Sequence, residues 1–256
     1  MFSPRRTVVA RAKRLTDLLA AVTARTGHPI EVRGRNVGPR ERFSSSDELV
    51  RAHFAARSDP TRVNFTSLIE TLRLLKEQPG VILETGSSAW GTNSSRLFDD
   101  YVASFGGEFW SADIRLEPLV ALRRTLTRSS VLCCDESVRF LRRWVSHNPG
   151  RKADLVYLDS LDLDVDAPMG AATHCIQEFL AIRPALQSGS LLLVDDTPAE
   201  IEWFPESQRD AAREFYETSG MVPGKGMLIE NHLRASAGVT KIHHRYQVLY
   251  QFEASS

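Results

Sequence analysis

The chain has 256 residues, 42% hydrophobic and 25% charged, with 32 basic residues against 32 acidic ones. That is enough apolar chain for one large core or two modest ones, and a balanced charge gives no reason to expect nucleic acid as the main partner. No apolar run reaches the roughly twenty residues that span a bilayer, and the start M-F-S-P-R-R-T-V-V-A-R-A-K-R lacks the apolar middle of a signal peptide. A cytoplasmic protein without a membrane partner is the expectation. Cys133, Cys134 and Cys175 are too few for a disulfide framework, and the vicinal pair reads as apolar filler in a strand.

Residues 4–26 read as a helix, because Val8, Val9, Ala12, Leu15, Leu18, Leu19 and Val22 recur at helical steps. Arg5, Arg6, Arg11, Lys13 and Arg14 crowd its first half, which suits a solvated face more than a basic arm. A helix packed this way makes a homodimer plausible. From His28 to Ser46 the periodicity breaks into a loop or cover. Ser46-Asp47 then caps a helix whose inner stripe is Leu49, Val50, His53 and Phe54. Asp59-Pro60 turns the chain into a helix over Phe65–Lys76, ended by Pro79-Gly80. Residues 1–79 are thus read as an N-terminal helical extension and 80–256 as the main domain.

After Gly80 the rhythm is strand, helix, strand, helix. The runs V-I-L-E (81–84), E-F-W-S-A-D (108–113), S-V-L-C-C-D (130–135), A-D-L-V-Y-L-D (153–159) and S-L-L-L-V-D-D (190–196) alternate with helical stretches. Continuous apolar strands of this kind belong to a parallel sheet covered on both faces. Two further strands, over 226–234 and 243–252 with a turn near Ser236–Gly238, are expected to close the sheet as a hairpin. His243 and His244 are adjacent on the second of these, so they face opposite ways. The five inner strands end on Glu84, Asp113, Asp135, Asp159 and Asp195, and open α/β sheets bind their ligands at those carboxyl ends.

The turn after the first strand, E-T-G-S-S-A-W-G-T-N, matches neither common phosphate motif. Ser88 stands where a dinucleotide fingerprint needs its second glycine, and Gly91 is followed by Thr92-Asn93 rather than Lys-Ser/Thr. What remains is an acid, a tight glycine turn and hydroxyl-bearing residues near a helix start, suited to the charged amino-acid end of a ligand. Asp113 follows about twenty residues later, the usual offset for an acid on a ribose, and Asp135 falls where it can approach an adenine. The competing structural reading is that Glu84, Asp113 and Asp135 cap helix starts.

Taken in order, E-T-G-S-S-x-x-G-T-N-S, Asp113, C-D-E-S (134–137), L-V-Y-L-D-S and L-L-L-V-D-D resemble the class I S-adenosylmethionine-dependent methyltransferases, most nearly their catechol O-methyltransferase-like, small-molecule branch. The resemblance covers residues 80–252. It implies an α/β, Rossmann-like sheet of seven strands, the last antiparallel, with helices on both faces. It further implies that Glu84, Gly86 and Ser88 face the methionine end of S-adenosylmethionine, Asp113 the ribose, and Asp135 and Glu136 the adenine edge. In the metal-dependent branch an acid ending strand four and a pair ending strand five bind a divalent cation, and Asp159, Asp195 and Asp196 fall on those places. Hard oxygen donors suit Mg²⁺, which can hold a substrate hydroxyl and lower its pKa.

One departure matters. The family's lysine base, three residues after the strand-four acid, is replaced here by Asp162. Asp162 can act as base only if its pKa is raised; His174, near the start of the next helix, is the other candidate. The alternate acids Asp162, Asp164 and Asp166 lack the glycine and distal glutamate of a calcium loop. The expected activity is methyl transfer to a hydroxyl of a small-molecule acceptor, a sugar or natural product, with a divalent ion assisting. A hydroxylase-type enzyme using iron, and a non-catalytic binding protein on the same fold, are the alternatives. Trp90, Trp203, Phe204 and Tyr216 are candidates to line the acceptor pocket.

Overall fold

The computed structural model describes residues 29–35, 38, 41–57, 62–87 and 92–253. The expected helix over 4–26, the Asp59-Pro60 turn, Ser88 and Trp90 lie outside the described residues. Among those described, no helix is long and apolar enough to cross a membrane.

Eight strands form one sheet: β1 (Ile30–Arg33), β2 (Gly80–Thr85), β3 (Gly107–Asp113), β4 (Ser130–Cys134), β5 (Leu155–Leu158), β6 (Leu191–Val194), β7 (Val239–His244) and β8 (Val248–Phe252). Their spatial order is β1-β4-β3-β2-β5-β6-β8-β7. Strands β2 to β6 pair in parallel. The last strand, β8, runs antiparallel to both β6 and β7, so β7 shares the direction of the inner five. The seven-stranded pattern with its reversed last strand is therefore present, and β1 is an eighth strand laid antiparallel on the β4 edge.

Strands β2, β4, β5 and β6 are buried end to end, and β3 over its last three residues, because alternate residues feed two different cores. Val81 and Leu83 join one cluster and Ile82 the other; Cys133 and Cys134 divide in the same way. One face is covered by α1 (Ser46–Arg57), α2 (Phe65–Leu74), α3 (Ser94–Phe105) and α4 (Leu116–Arg123), through Leu49, Phe54, Leu68, Phe98, Tyr101 and Leu119. The other is covered by α5 (Ser137–His147), α6 (Met169–Ile182) and α8 (Met227–Leu233), through Phe140, Trp144, Phe179 and Ile229. Helix α7 (Arg209–Ser219) contributes Ala212 to a small satellite cluster with Val165 and Phe204. All three cysteines are free and buried, in keeping with apolar filler.

Three expectations change. The stretch 28–46 supplies strand β1, whose half-exposed pattern and four-residue length leave little apolar signal at a sheet edge. Gly34 lets it dock: a Cβ there would meet the Thr127 carbonyl oxygen at 2.1 Å. The stretch 226–234 is helix α8 rather than a strand, and Ile229 and Leu233, four residues apart, both enter the core. The closing hairpin is consequently β7–β8, with its reversal at 245–247. The helix expected over 65–76 stops at Leu74, where Lys76 and Glu77 take positive φ values.

Candidate active site

Strand order reverses between β2 and β5: β3 and β4 lie to one side of β2, β5 and β6 to the other. A crevice is expected at such a switch point, and a cavity of about 820 Å³ opens there, with Gly86, Ser87, Thr92, Asp113, Asp135, Ser137, Asp159, Asp195 and Asp196 in its wall. Gly86 has φ of +83°, and a Cβ on it would sit 2.0 Å from the Asp159 carbonyl oxygen. The turn after β2 thus crosses the end of β5 at a distance only glycine allows.

Glu84 is not part of the cavity wall. Its carboxylate is fully buried and receives the hydroxyls of Ser94, Ser95 and Ser111, each at 2.5 Å. Glu84 therefore ties the start of α3 to β2 and β3 beneath the turn. Burial pushes its carboxyl up to about 7, against the pull of those three hydroxyls. A folded-state value above the unfolded one means the folded protein holds the proton more tightly, so this group's contribution to stability is lost as pH rises from about 4.5 toward 7. Glu84→Gln is expected to remove about 3 kcal/mol of the stability difference between pH 5 and pH 8. Urea unfolding at both pH values measures it, and an unchanged difference would rule the account out.

Asp113 lines the cavity, and its carboxylate is held by Arg115, through the backbone N–H at 2.7 Å and the guanidinium at 2.9 and 3.1 Å. That Arg115 side chain is 66% exposed, so the ion pair is worth under about 1 kcal/mol. Asp135 also lines the wall, with its carboxylate bound by Arg139 and Arg143. Glu136 accepts the backbone N–H groups of Val138 and Arg139 at 2.9 Å each and so caps α5, the helix-start role acids favour.

The same cavity wall gathers Asp159, Asp195 and Asp196. One carboxylate oxygen from each lies within 4.8 Å of the others. Neighbours orient every acid. Tyr157 donates to Asp159 Oδ2 at 3.3 Å, and Tyr246 to Asp196 Oδ1 at 2.8 Å. Gln247 and Asn64 donate to Asp195 Oδ1 at 2.6 and 3.3 Å, and Ser67 in turn holds the Gln247 carbonyl oxygen. Asp196 adopts φ of +39°, a left-handed turn that aspartate tolerates better than most residues. Burial, then the charges of Asp159 and Asp196, raises the Asp195 carboxyl well above the usual range.

A buried lysine completes this cluster. Lys225 Nζ lies 2.8 Å from Asp159 Oδ1 and 2.9 Å from Asp196 Oδ2, and the residue is 3% exposed. Burial alone would lower its pKa; the surrounding carboxylates more than reverse that and hold it protonated. Lys225 is 66 residues from Asp159 in sequence, outside any lysine spacing that the strand-four acid suggests. Its one sequence signal is P-G-K-G (223–226), glycines flanking a lysine where backbone must come close. Gly224 and Gly226 do pack on the Asp196-Thr197 turn.

The two base candidates stand differently. Asp162 lines the cavity and is exposed. His174 also lines it, with Nε2 at 2.8 Å from Ser137 Oγ and 3.7 Å from the buried Glu178, a set of contacts on the α5 side that includes none of the three acids. Trp203, Phe204 and Tyr216 are absent from the wall: Phe204 packs in the satellite core and Tyr216 is 47% exposed. His243 pairs with Glu70 and His244 with the Thr197 carbonyl.

Chemically, three aspartates supply only oxygen donors, and no histidine belongs to the cluster among the described residues. That set suits Mg²⁺ and lacks the two imidazoles of the usual non-haem iron site. With all three acids ionised and Lys225 protonated, two negative charges remain for a divalent ion to balance.

No family model and no curated protein matches the chain. Among solved structures it is similar to the MycE methyltransferase from the mycinamycin biosynthetic pathway. One MycE structure, with Mg and SAH, gives a TM-score of 0.52 at 15% identity over 83% of this chain and 55% of that one. A second, with Mg, SAH and mycinamycin VI, gives 0.55 at 16% identity over 83% and 56%. The chain thus spans little more than half the length of these structures.

Proposed function

We infer that the chain has the class I S-adenosylmethionine-dependent methyltransferase fold. From that premise, we propose that it transfers the methyl group of S-adenosylmethionine to a hydroxyl of a small molecule, with a divalent cation, Mg²⁺ by its donor set, held by Asp159, Asp195 and Asp196. The carrying observation is that one cavity at the switch point is lined by the Gly86 turn, Asp113 and the three acids together. That MycE was solved with Mg and SAH supports the same pair of ligands here.

In this reading the Gly86-Ser87 backbone receives the amino-acid end of the donor, and Asp113 exchanges Arg115 for the ribose diol. Asp135 and Glu136, fixed by arginines and by helix capping, form the wall at the adenine end. The reaction forms an oxygen–methyl bond, breaks the sulfonium–methyl bond and releases the hydroxyl proton. A bound divalent ion supplies positive charge that lowers the hydroxyl pKa. Tyr157, Tyr246, Asn64 and Gln247 keep the carboxylates aimed before the acceptor arrives, so little reorganisation falls on the reacting state. An exposed Val63, Ile114 and Leu161 border the cavity, which favours an acceptor with an apolar body beside its hydroxyl.

Isothermal titration with S-adenosylhomocysteine is the direct test. Saturable binding with Kd in the micromolar range is expected, followed by labelled-methyl transfer to hydroxyl acceptors that depends on added Mg²⁺. Absence of binding overturns the donor assignment, while methyl transfer that persists undiminished in EDTA overturns the ion.

A further inference from the structure

The acid cluster contains an internal cation of its own. Lys225 Nζ bridges Asp159 and Asp196, residues that follow different strands and that the function proposed above assigns to a divalent ion. The ammonium takes Asp159 Oδ1 and Asp196 Oδ2, while Tyr157 and Tyr246 donate to the other oxygen of each. The two oxygens left free of tyrosine are thus the ones the lysine occupies.

The backbone of Lys225 is pinned at the same place. Its N–H donates to the Asp196 carbonyl at 2.9 Å, and the Gly226 N–H donates to Thr197 Oγ1 at 2.9 Å. A Cβ on Gly226 would come within 2.8 Å of that hydroxyl, so the segment cannot shift outward without losing its seat. With the root of the side chain held by these backbone bonds, the rotatable four-carbon stem is the part left to adjust.

We propose that Lys225 is a tethered competitor of the divalent ion: its ammonium bridges Asp159 and Asp196 in the ion-free protein and releases at least one of them when the ion enters, so that Lys225 sets the ion concentration at which the site fills. The inference rests on the reading of Asp159, Asp195 and Asp196 as ion ligands. A monovalent cation already on two of three ligands opposes a second cation, both by occupying oxygens and by repulsion at a few ångströms. In exchange it keeps three neighbouring carboxylates compatible with burial when no ion is present.

The test is Mg²⁺ titration calorimetry on the whole protein as wild type, Lys225→Met and Lys225→Arg, with S-adenosylhomocysteine binding as a control for the fold. Lys225→Met is expected to bind Mg²⁺ at least about tenfold more tightly than wild type, and Lys225→Arg, which keeps the charge, to stay closer to wild type. Equal or weaker Mg²⁺ binding by Lys225→Met overturns the proposal, since the lysine then supports the site rather than competing for it. If Lys225→Met does not fold, ¹³Cε-lysine NMR of the wild type answers the same question. The Lys225 resonance, assigned by its loss in Lys225→Arg, should move as Mg²⁺ saturates; a stationary resonance at saturation overturns the proposal. Mg²⁺ binding to no variant, with S-adenosylhomocysteine still bound, overturns both this inference and the ion assignment and leaves the methyl-donor reading standing.

Discussion

Gly86→Ala is expected to weaken S-adenosylhomocysteine binding by about 100-fold or more, close to 3 kcal/mol, and to lower the melting temperature by roughly 6–12 °C. Two independent costs combine. At φ of +83° an alanine pays about 1–2 kcal/mol for the left-handed conformation. Its methyl also needs the space of the Asp159 carbonyl group, whose oxygen and carbon would lie at 2.0 and 2.6 Å, which backbone cannot give without moving. Relief requires the β2 turn and the β5 end to separate, and those two segments carry the backbone proposed to bind the donor and the first acid of the cluster. Gly170→Ala is the matched control: that glycine lies in α6 with nothing within 4 Å of a new Cβ, and the change is expected to be neutral or stabilising by up to about 1 kcal/mol. Calorimetry and thermal unfolding of both variants decide the matter. A Gly86→Ala protein that binds within threefold of wild type would mean the turn does not touch the donor.

What could be read in the sequence followed from how locally each signal was written. The strands β2, β4, β5 and β6 are short runs dominated by apolar residues and buried throughout, as both faces of a central sheet must be covered; β3 is buried only toward its carboxyl end. The stripe Leu49, Val50, His53 and Phe54 is likewise buried as its spacing requires. Strand β1 escaped because an edge strand of four half-exposed residues, I-E-V-R, owes its pairing to β4 and to the room at Gly34 rather than to its own composition. Helix α8 was misread because M-L-I opens like a strand; only Leu233, one turn further along the same buried face, reveals the period. The three acids were legible as strand ends. Lys225 was not, since a contact 66 residues away in sequence is fixed by how the segment between α7 and α8 packs on the Asp196-Thr197 turn. Glu84 is a strand-end acid that belongs to the motif by position and whose carboxylate receives Ser94, Ser95 and Ser111, contacts that strand pattern alone does not reveal.

Asp195→Asn should separate the cluster's two properties, raising stability while abolishing ion binding. Asp195 is the acid most disfavoured as an anion: burial, Asp159 and Asp196 all raise its pKa, and Lys225 opposes them only in part. Because the folded value lies above the unfolded one, stability is fully present at low pH and is lost as pH rises from the unfolded pKa toward the folded one. An asparagine removes that loss. It also keeps the Oδ1 acceptor that Gln247 and Asn64 use, so the packing around the site is preserved. The variant is therefore expected to gain about 1–2 kcal/mol over wild type at pH 8 in EDTA and much less at pH 5, read by urea unfolding at both. Mg²⁺ affinity should fall by about 100-fold or more, since an amide oxygen replaces one of three charged ligands. A loss of stability at pH 8 would show that the carboxylate is held by favourable partners rather than tolerated for its function. Retained Mg²⁺ binding would remove Asp195 from the ligand set. The expected outcome, a site that stabilises the fold when its chemistry is deleted, is the ordinary mark of residues kept for what they bind rather than for what they hold together.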